Sequence, residues 1–121
     1  KGFIAFLAVR FRFVKGSSEH AKDKIKQYLL QRNSVQPIGT FNCGSVFQNP
    51  KSTGAGLLID QLGMLGYEKG GARISPMHGN FIENMNVQAT TRDVKKLMRF
   101  MQEKVWEAHQ IKLIPEVVIY E

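Results

Sequence analysis

Apolar and polar positions change their period several times along this chain, and each change marks a different element. From Phe3 to Val14 the residues are first apolar on both faces and then alternate, with Phe11 and Phe13 opposed to Arg10 and Arg12. That pattern predicts one long strand ended by Lys15 and Gly16. Ser17 and Ser18 can cap the next segment, where Ala21, Ile25, Tyr28, Leu29 and Arg32 recur at helical spacing and Lys22, Lys24 and Lys26 take the opposite face. The spacing predicts an amphipathic helix with a basic outer side. Gln36-Pro37 stops it, because a residue before proline is pushed toward extended geometry.

Glycine punctuates the middle of the chain. "FNCGSVFQNP", residues 41–50, reads as a loop in which Asn42, Gly44, Asn49 and Pro50 favour turns, with two aromatics and Ser45 threaded between them. Beyond "KSTGAG", the stretch "LLIDQLG" has the length of two helical turns closed by Gly63, and Gly66-Tyr67 and Gly70-Gly71 predict short strands joined by tight turns. "ARIS" and "NFIEN" predict two further strands on either side of "PMHG". In the last third, Thr90 with Asp93 three residues on is a capping-box-like start, with Asp in place of the usual Glu or Gln. Val94, Leu97, Met98, Met101 and Val105 then form the apolar stripe of a core-facing helix. Pro115 precedes "EVVIYE", a final strand in which Val117 and Ile119 alternate with Val118 and Tyr120. With no internal repeat and no low-complexity segment, the elements predict a single α+β unit, an antiparallel or mixed sheet with at least two helices packed on it.

Composition narrows the function classes. A length of 121 residues suits one domain with a modest core, and 43% hydrophobic with 22% charged residues is the balance of a soluble globular protein. Arg10 and Arg12 break the apolar opening short of the roughly 18 residues a membrane span needs, so neither a span nor a signal peptide is read there. A single cysteine, Cys43, excludes an internal disulfide and fits a reducing, cytoplasmic setting. Cys43, His20, His78 and His109 never fall at ligand spacing, so no metal site is expected. The formal net charge of +7 favours an anionic partner: nucleic acid, a phosphate ester or an acidic protein.

Six stretches in this order, "QRNSVQP", "CGSVFQNP", "AGLLIDQLGMLGY", "GGARIS", "HGNFIEN" and "LIPEVVIYE", resemble UDP-N-acetylenolpyruvoylglucosamine reductase, the MurB family of peptidoglycan synthesis. The resemblance covers nearly the whole chain, and "GSVFQNP" followed by "AGLLIDQ" and later by "PEV" is its specific part. The family's enzymes are larger, and the match lies in their carboxy-terminal part. The resemblance therefore implies that this chain is a fragment, in which residues 1–15 are the terminal strand of a preceding flavin-binding portion and residues 16–121 are the substrate-binding domain. Three departures stand out: Val118 replaces a usual arginine, Cys43 stands where small residues are common, and the short "KSTGAG" connection leaves no room for the segment with which some members cover the substrate.

In the family, NADPH reduces a bound FAD, the flavin delivers hydride to the methylene carbon of UDP-N-acetylglucosamine enolpyruvate, and a serine protonates the neighbouring carbon. The resemblance places that serine at Ser45 and the family's catalytic glutamate at Glu116, which faces the developing enolate as a neutral carboxyl or through a water, since a bare carboxylate would repel that charge. Asn49 matches a substrate contact, Gly44 adjoins the serine, and Lys51 is placed to meet the substrate diphosphate. An arginine that holds the substrate carboxylate lies in the family's flavin-binding portion and has no match here, so the fragment alone is expected to be inactive. Without the resemblance, Ser45 reads as a turn serine bonding its own backbone and Glu116 as a solvated residue. His78 reads as a structural histidine, and Met64, Met98 and Met101 as core packing.

The rival reading is a small basic RNA-binding module, from the net charge and the lysine-rich helix face. Phe11 and Phe13 lie on an apolar face, however, and no ribonucleoprotein-type motif or glycine clamp with basic flanks occurs, so neither nucleic acid nor membrane is the expected partner.

Overall fold

The structure, a computed structural model, describes residues 7–120. The chain divides into two compact units, Lys1–Gln31 and Arg32–Glu121. In the first, the expected strand does not form over its described part: residues 7–14 carry no strand and Leu7, Phe13 and Val14 are exposed. Residues 3–6 lie outside the described residues. A strand needs a neighbour to take its N–H and C=O groups, and among the described residues none is paired with 7–14.

Helix α1, Ser18–Val35, begins beside the expected serines and ends just before Gln36-Pro37. It departs from expectation in its packing: none of its residues is buried, and Ile25, Tyr28 and Leu29 are more than half exposed. The apolar positions make one thin stripe among lysines and glutamines, which suffices for a helix.

The second unit holds a four-stranded antiparallel sheet in the order β1-β4-β3-β2, made of β1 Asn42–Ser45, β2 Glu68–Lys69, β3 Ala72–Ile74 and β4 Phe81–Asn84. Helices α2, Ala55–Gln61, and α3, Thr91–His109, complete it. Ala72, Ile74 and Ile82 point to one face and join Ile59, Leu97, Met101 and Val105 in the core, as the two-residue period of a strand requires. Phe81 and Glu83 alternate to the other face, where Arg73 Nη2 donates to Glu83 Oε2 at 2.7 Å across directly paired positions.

Local chemistry accounts for the boundaries. Helix α2 closes in the two-bond pattern that glycine permits: Gly63, at φ +66°, donates to Asp60 O, Met64 donates to Ile59 O, and both Met64 and Ile59 sit in the core. The β2–β3 hairpin turns at Gly70-Gly71 and packs tightly, since a Cβ on Gly71 would lie 2.4 Å from the backbone of Ala89.

Helix α3 starts with a full capping box: Asp93 N–H donates to Thr90 Oγ1 at 3.2 Å, and Thr90 N–H donates to Asp93 Oδ2 at 3.0 Å. The Thr90 N–H above all, then the Thr90 hydroxyl, hold the Asp93 carboxyl below its ordinary value, with smaller help from Gly71 and Lys96 against a slight burial effect. A carboxyl depressed on folding contributes stability that is present above its unfolded pKa and lost as pH falls through its folded one. Wild-type protein should therefore be more stable than Asp93→Asn at neutral pH, and urea titrations should show that gap closing as the solution is acidified past the aspartate range. A gap independent of pH would refute this account of the cap.

Two further expectations are corrected by the fold. Residues 42–45 belong to the stretch expected to be loop and are the edge strand β1. The expected final strand does not form over 116–120: an antiparallel bridge, Phe47 with Pro115, falls just before it, and Val118 and Tyr120 are exposed; residue 121 lies outside the described residues. Strand β1 carries one residue more than its partner between the pairs Asn42 with Glu83 and Ser45 with Phe81, and Gly44 sits there at φ +80°. A bulge of this kind bends the edge and locally breaks its pairing with β4.

Candidate active site

Ser45 follows the bulge directly, and several hydrogen bonds fix the backbone around it. Asn42 Oδ1 accepts the Gly44 N–H at 2.9 Å, while Asn42 Nδ2 donates to Pro37 O at 3.0 Å and to Thr40 Oγ1 at 2.8 Å. One side chain thus forms the turn into Gly44 and ties the 37–40 loop to it. Beyond Ser45, the Val46 N–H donates to Asn80 O at 2.9 Å, and Val46 and Phe47 are fully buried.

The result is a cleft of about 420 Å³ on the sheet face that carries Phe81, with Gly44, Ser45, Pro37 and Gly39 in its wall. Arg32 is the one cation among the described residues lining it, and its Nε donates to Gln36 Oε1 at 3.0 Å. Ser45 is exposed, and among the described residues none makes a hydrogen bond with its hydroxyl. A turn serine with only a local role often bonds its own backbone; this hydroxyl instead faces solvent at the cleft.

Glu116 reaches the same neighbourhood through the main chain. Its N–H donates to Val46 O at 2.9 Å, and two residues earlier Ile114 O accepts the Gln48 N–H at 2.9 Å. The glutamate is therefore one hydrogen bond from the residue that follows Ser45. Its side chain is exposed and forms no ion pair among the described residues.

The remaining expected residues lie farther along. Asn49 Oδ1 accepts the Ala55 N–H at 2.9 Å, satisfying a first-turn donor of α2, while its Nδ2 bonds nothing among the described residues. Lys51 is exposed in the turn that Thr53 N–H closes on Pro50 O. Neither lines the cleft, and nor does Glu116, whose link to it is the main-chain bond to Val46. Desolvation raises the pKa of the Cys43 thiol, a hydrogen bond with its own backbone offsetting part of the effect. Among the described residues no three His, Cys, Asp or Glu side chains gather as a metal ion requires, and no helix is long and apolar enough to cross a membrane.

Two residues of the neighbourhood escape a reading by sequence pattern. Arg32 fits the periodicity of α1 and is counted there as part of its stripe, yet it lines the cleft. Asn80 reads as the start of a strand, but it is 2% exposed and its side chain bonds the backbone of Phe47. The signal available was its type: a buried asparagine must find partners for its amide.

Comparison with known proteins agrees with this architecture. A model of the UDP-N-acetylenolpyruvoylglucosamine reductase C-terminal domain matches residues 36–120. The UDP-N-acetylenolpyruvoylglucosamine reductase of Prochlorococcus marinus is 40% identical over 115 residues, covering 94% of this chain and 37% of that one. That of Nitrosococcus oceani is 42% identical over 112 residues, with 93% and 37% covered. The crystal structure of UDP-N-acetylenolpyruvylglucosamine reductase (MurB) from Thermus caldophilus superposes with a TM-score of 0.73 at 34% identity, over 91% of this chain and 39% of that one. This chain spans little more than a third of the length of the curated relatives it matches. By its sequence and its fold, the chain belongs to the family of UDP-N-acetylenolpyruvoylglucosamine reductase C-terminal domains.

Proposed function

We propose that this chain is the substrate-binding part of a longer, cytoplasmic, flavin-dependent reductase that converts UDP-N-acetylglucosamine enolpyruvate to UDP-N-acetylmuramate for peptidoglycan synthesis. Residues 16–121 form that domain and residues 1–15 close the preceding flavin-binding portion. The observation that carries the reading is the unpartnered Ser45 hydroxyl at the cleft, set by a bulge and joined through Val46 to Glu116, in a member of this family.

The described residues do not build a flavin site. The cleft offers a single cation, Arg32, where a dinucleotide asks for a cradle of donors, so FAD and NADPH belong to the rest of the longer protein. A reduced cofactor held by the rest of the longer protein would supply the hydride; this chain's part is the proton. Ser45 Oγ gives it to the carbon beside the carboxylate, and a hydroxyl, being a weak acid, serves because an enolate is a strong base and solvent replaces the lost proton. Glu116 stands by the developing enolate, the free Asn49 Nδ2 donates to sugar or phosphate, Gly44 lets the substrate approach the backbone, and Lys51 meets the diphosphate.

The longer protein, purified with its flavin and kept anaerobic, should consume NADPH beyond one equivalent per flavin only when UDP-N-acetylglucosamine enolpyruvate is added. Consumption that ignores the sugar, or no consumption with flavin bound, would refute the reading.

A further inference from the structure

We propose that Asn80 is a positioning residue that sets Ser45 and Glu116 together through one buried clamp on Val46 and Phe47; this rests on the reading of those two residues as the reacting groups. All four hydrogen-bonding groups of Asn80 are engaged. Its Oδ1 accepts the Phe47 N–H at 2.9 Å and its Nδ2 donates to the Phe47 C=O at 2.8 Å, so the side-chain amide bonds residue 47 as a neighbouring strand would. Its own C=O accepts the Val46 N–H at 2.9 Å, and its own N–H donates to His78 Nδ1 at 3.1 Å.

The clamp stands where the sheet fails. Strand β1 ends at Ser45, out of register with β4 across the bulge, and Asn80 is the residue just before β4. The side chain continues the ladder that the backbone drops, and on the other edge the 114–117 segment takes the Val46 C=O and the Gln48 N–H. With Val46 held from both sides, Ser45 before it and Glu116 across from it cannot shift independently.

The position admits no ready substitute. Aspartate replaces the amide donor with an oxygen facing the Phe47 C=O, and glutamine is one methylene too long for a site with almost no exposure. Asn80 does not line the cleft, so it bears on geometry and not on substrate affinity.

The test uses the full-length, flavin-loaded reductase carrying N80D and, separately, N80S. A displacement of about 1 Å at a reacting group slows turnover by roughly 100-fold, so kcat should fall by about that factor. KM for the enolpyruvyl sugar and the rate of flavin reduction by NADPH should stay near wild type. In an enzyme already carrying Ser45→Ala, N80S should lower kcat by much less, because two residues acting through one step are not additive. The N80D enzyme should regain part of its kcat as pH falls, when its new carboxyl takes up a proton and can again donate to the Phe47 C=O. Wild-type kcat in a folded variant, an equal drop in both backgrounds, or failure of both variants to fold would each overturn the proposal. If Ser45→Ala itself keeps wild-type kcat, the underlying assignment fails instead; if Ser45→Ala is impaired while N80S is not, only the role of Asn80 falls.

Discussion

Ser45→Ala in the full-length reductase should leave flavin reduction by NADPH untouched and slow reoxidation of that flavin by the enolpyruvyl sugar by about 100-fold to 10,000-fold, the range a positioned proton donor supplies. The structure makes this a clean experiment. The hydroxyl bonds nothing among the described residues, so removing it strands no partner and breaks no bond of the fold. Ser45 is also exposed, and exposed substitutions of this kind typically stay within about 0.5 kcal/mol in stability. A lower kcat therefore reports chemistry, not damage. Stopped-flow reoxidation at the wild-type rate would remove Ser45 from the reaction, whatever the steady-state assay showed.

Phe47→Ala should destabilise the second unit by about 3 to 5 kcal/mol, a large share of the roughly 5 to 15 kcal/mol by which a domain is stable. Burial and a doubly held backbone make the upper half of that range the expectation. The Phe47 ring is fully buried in the core, and its backbone is fixed by the Asn80 amide on one side and the bridge to Pro115 on the other. Backbone held in this way cannot relax into the vacated space, and the cost of truncation rises with the cavity that remains. Urea unfolding followed by Trp106 fluorescence measures it; a loss under about 1.5 kcal/mol, the scale of a volume-conserving swap, would mean the site collapses.

How much of this was legible in the sequence depends on how locally each feature is determined. Helix α3 can be read residue by residue, since Thr90 and Asp93 cap it and Leu97, Met98, Met101 and Val105 are buried as their spacing requires. The close of α2 at Gly63 and the hairpin at Gly70-Gly71 are equally local. The failures concern partners. Periodicity says which side of a strand or helix is apolar, not whether anything covers it, so 7–14 and 116–120 were expected as strands and α1 as a packed helix. The bulge at Gly44 has the same character: glycine announces a turn, and only the pairing with β4 makes it an irregular strand. For the site, motifs pointed to Ser45 and Glu116, while Asn80 gave no periodic signal because it acts on a residue 33 positions away.

That long reach also orders events during synthesis. Val46 and Phe47 take their partners from Asn80 and from the 114–117 segment, all made later than they are. At about 5 to 20 residues per second, Glu116 leaves the ribosome roughly 4 to 14 seconds after Val46, far longer than a chain needs to collapse. Until then Phe47 has no lid and the 41–48 segment no outer neighbour, which leaves a nascent apolar strand open to chaperones or to other chains. The proposed reacting pair is thus among the last features of this domain to form, and slowing translation between Phe47 and Glu116 should lower solubility.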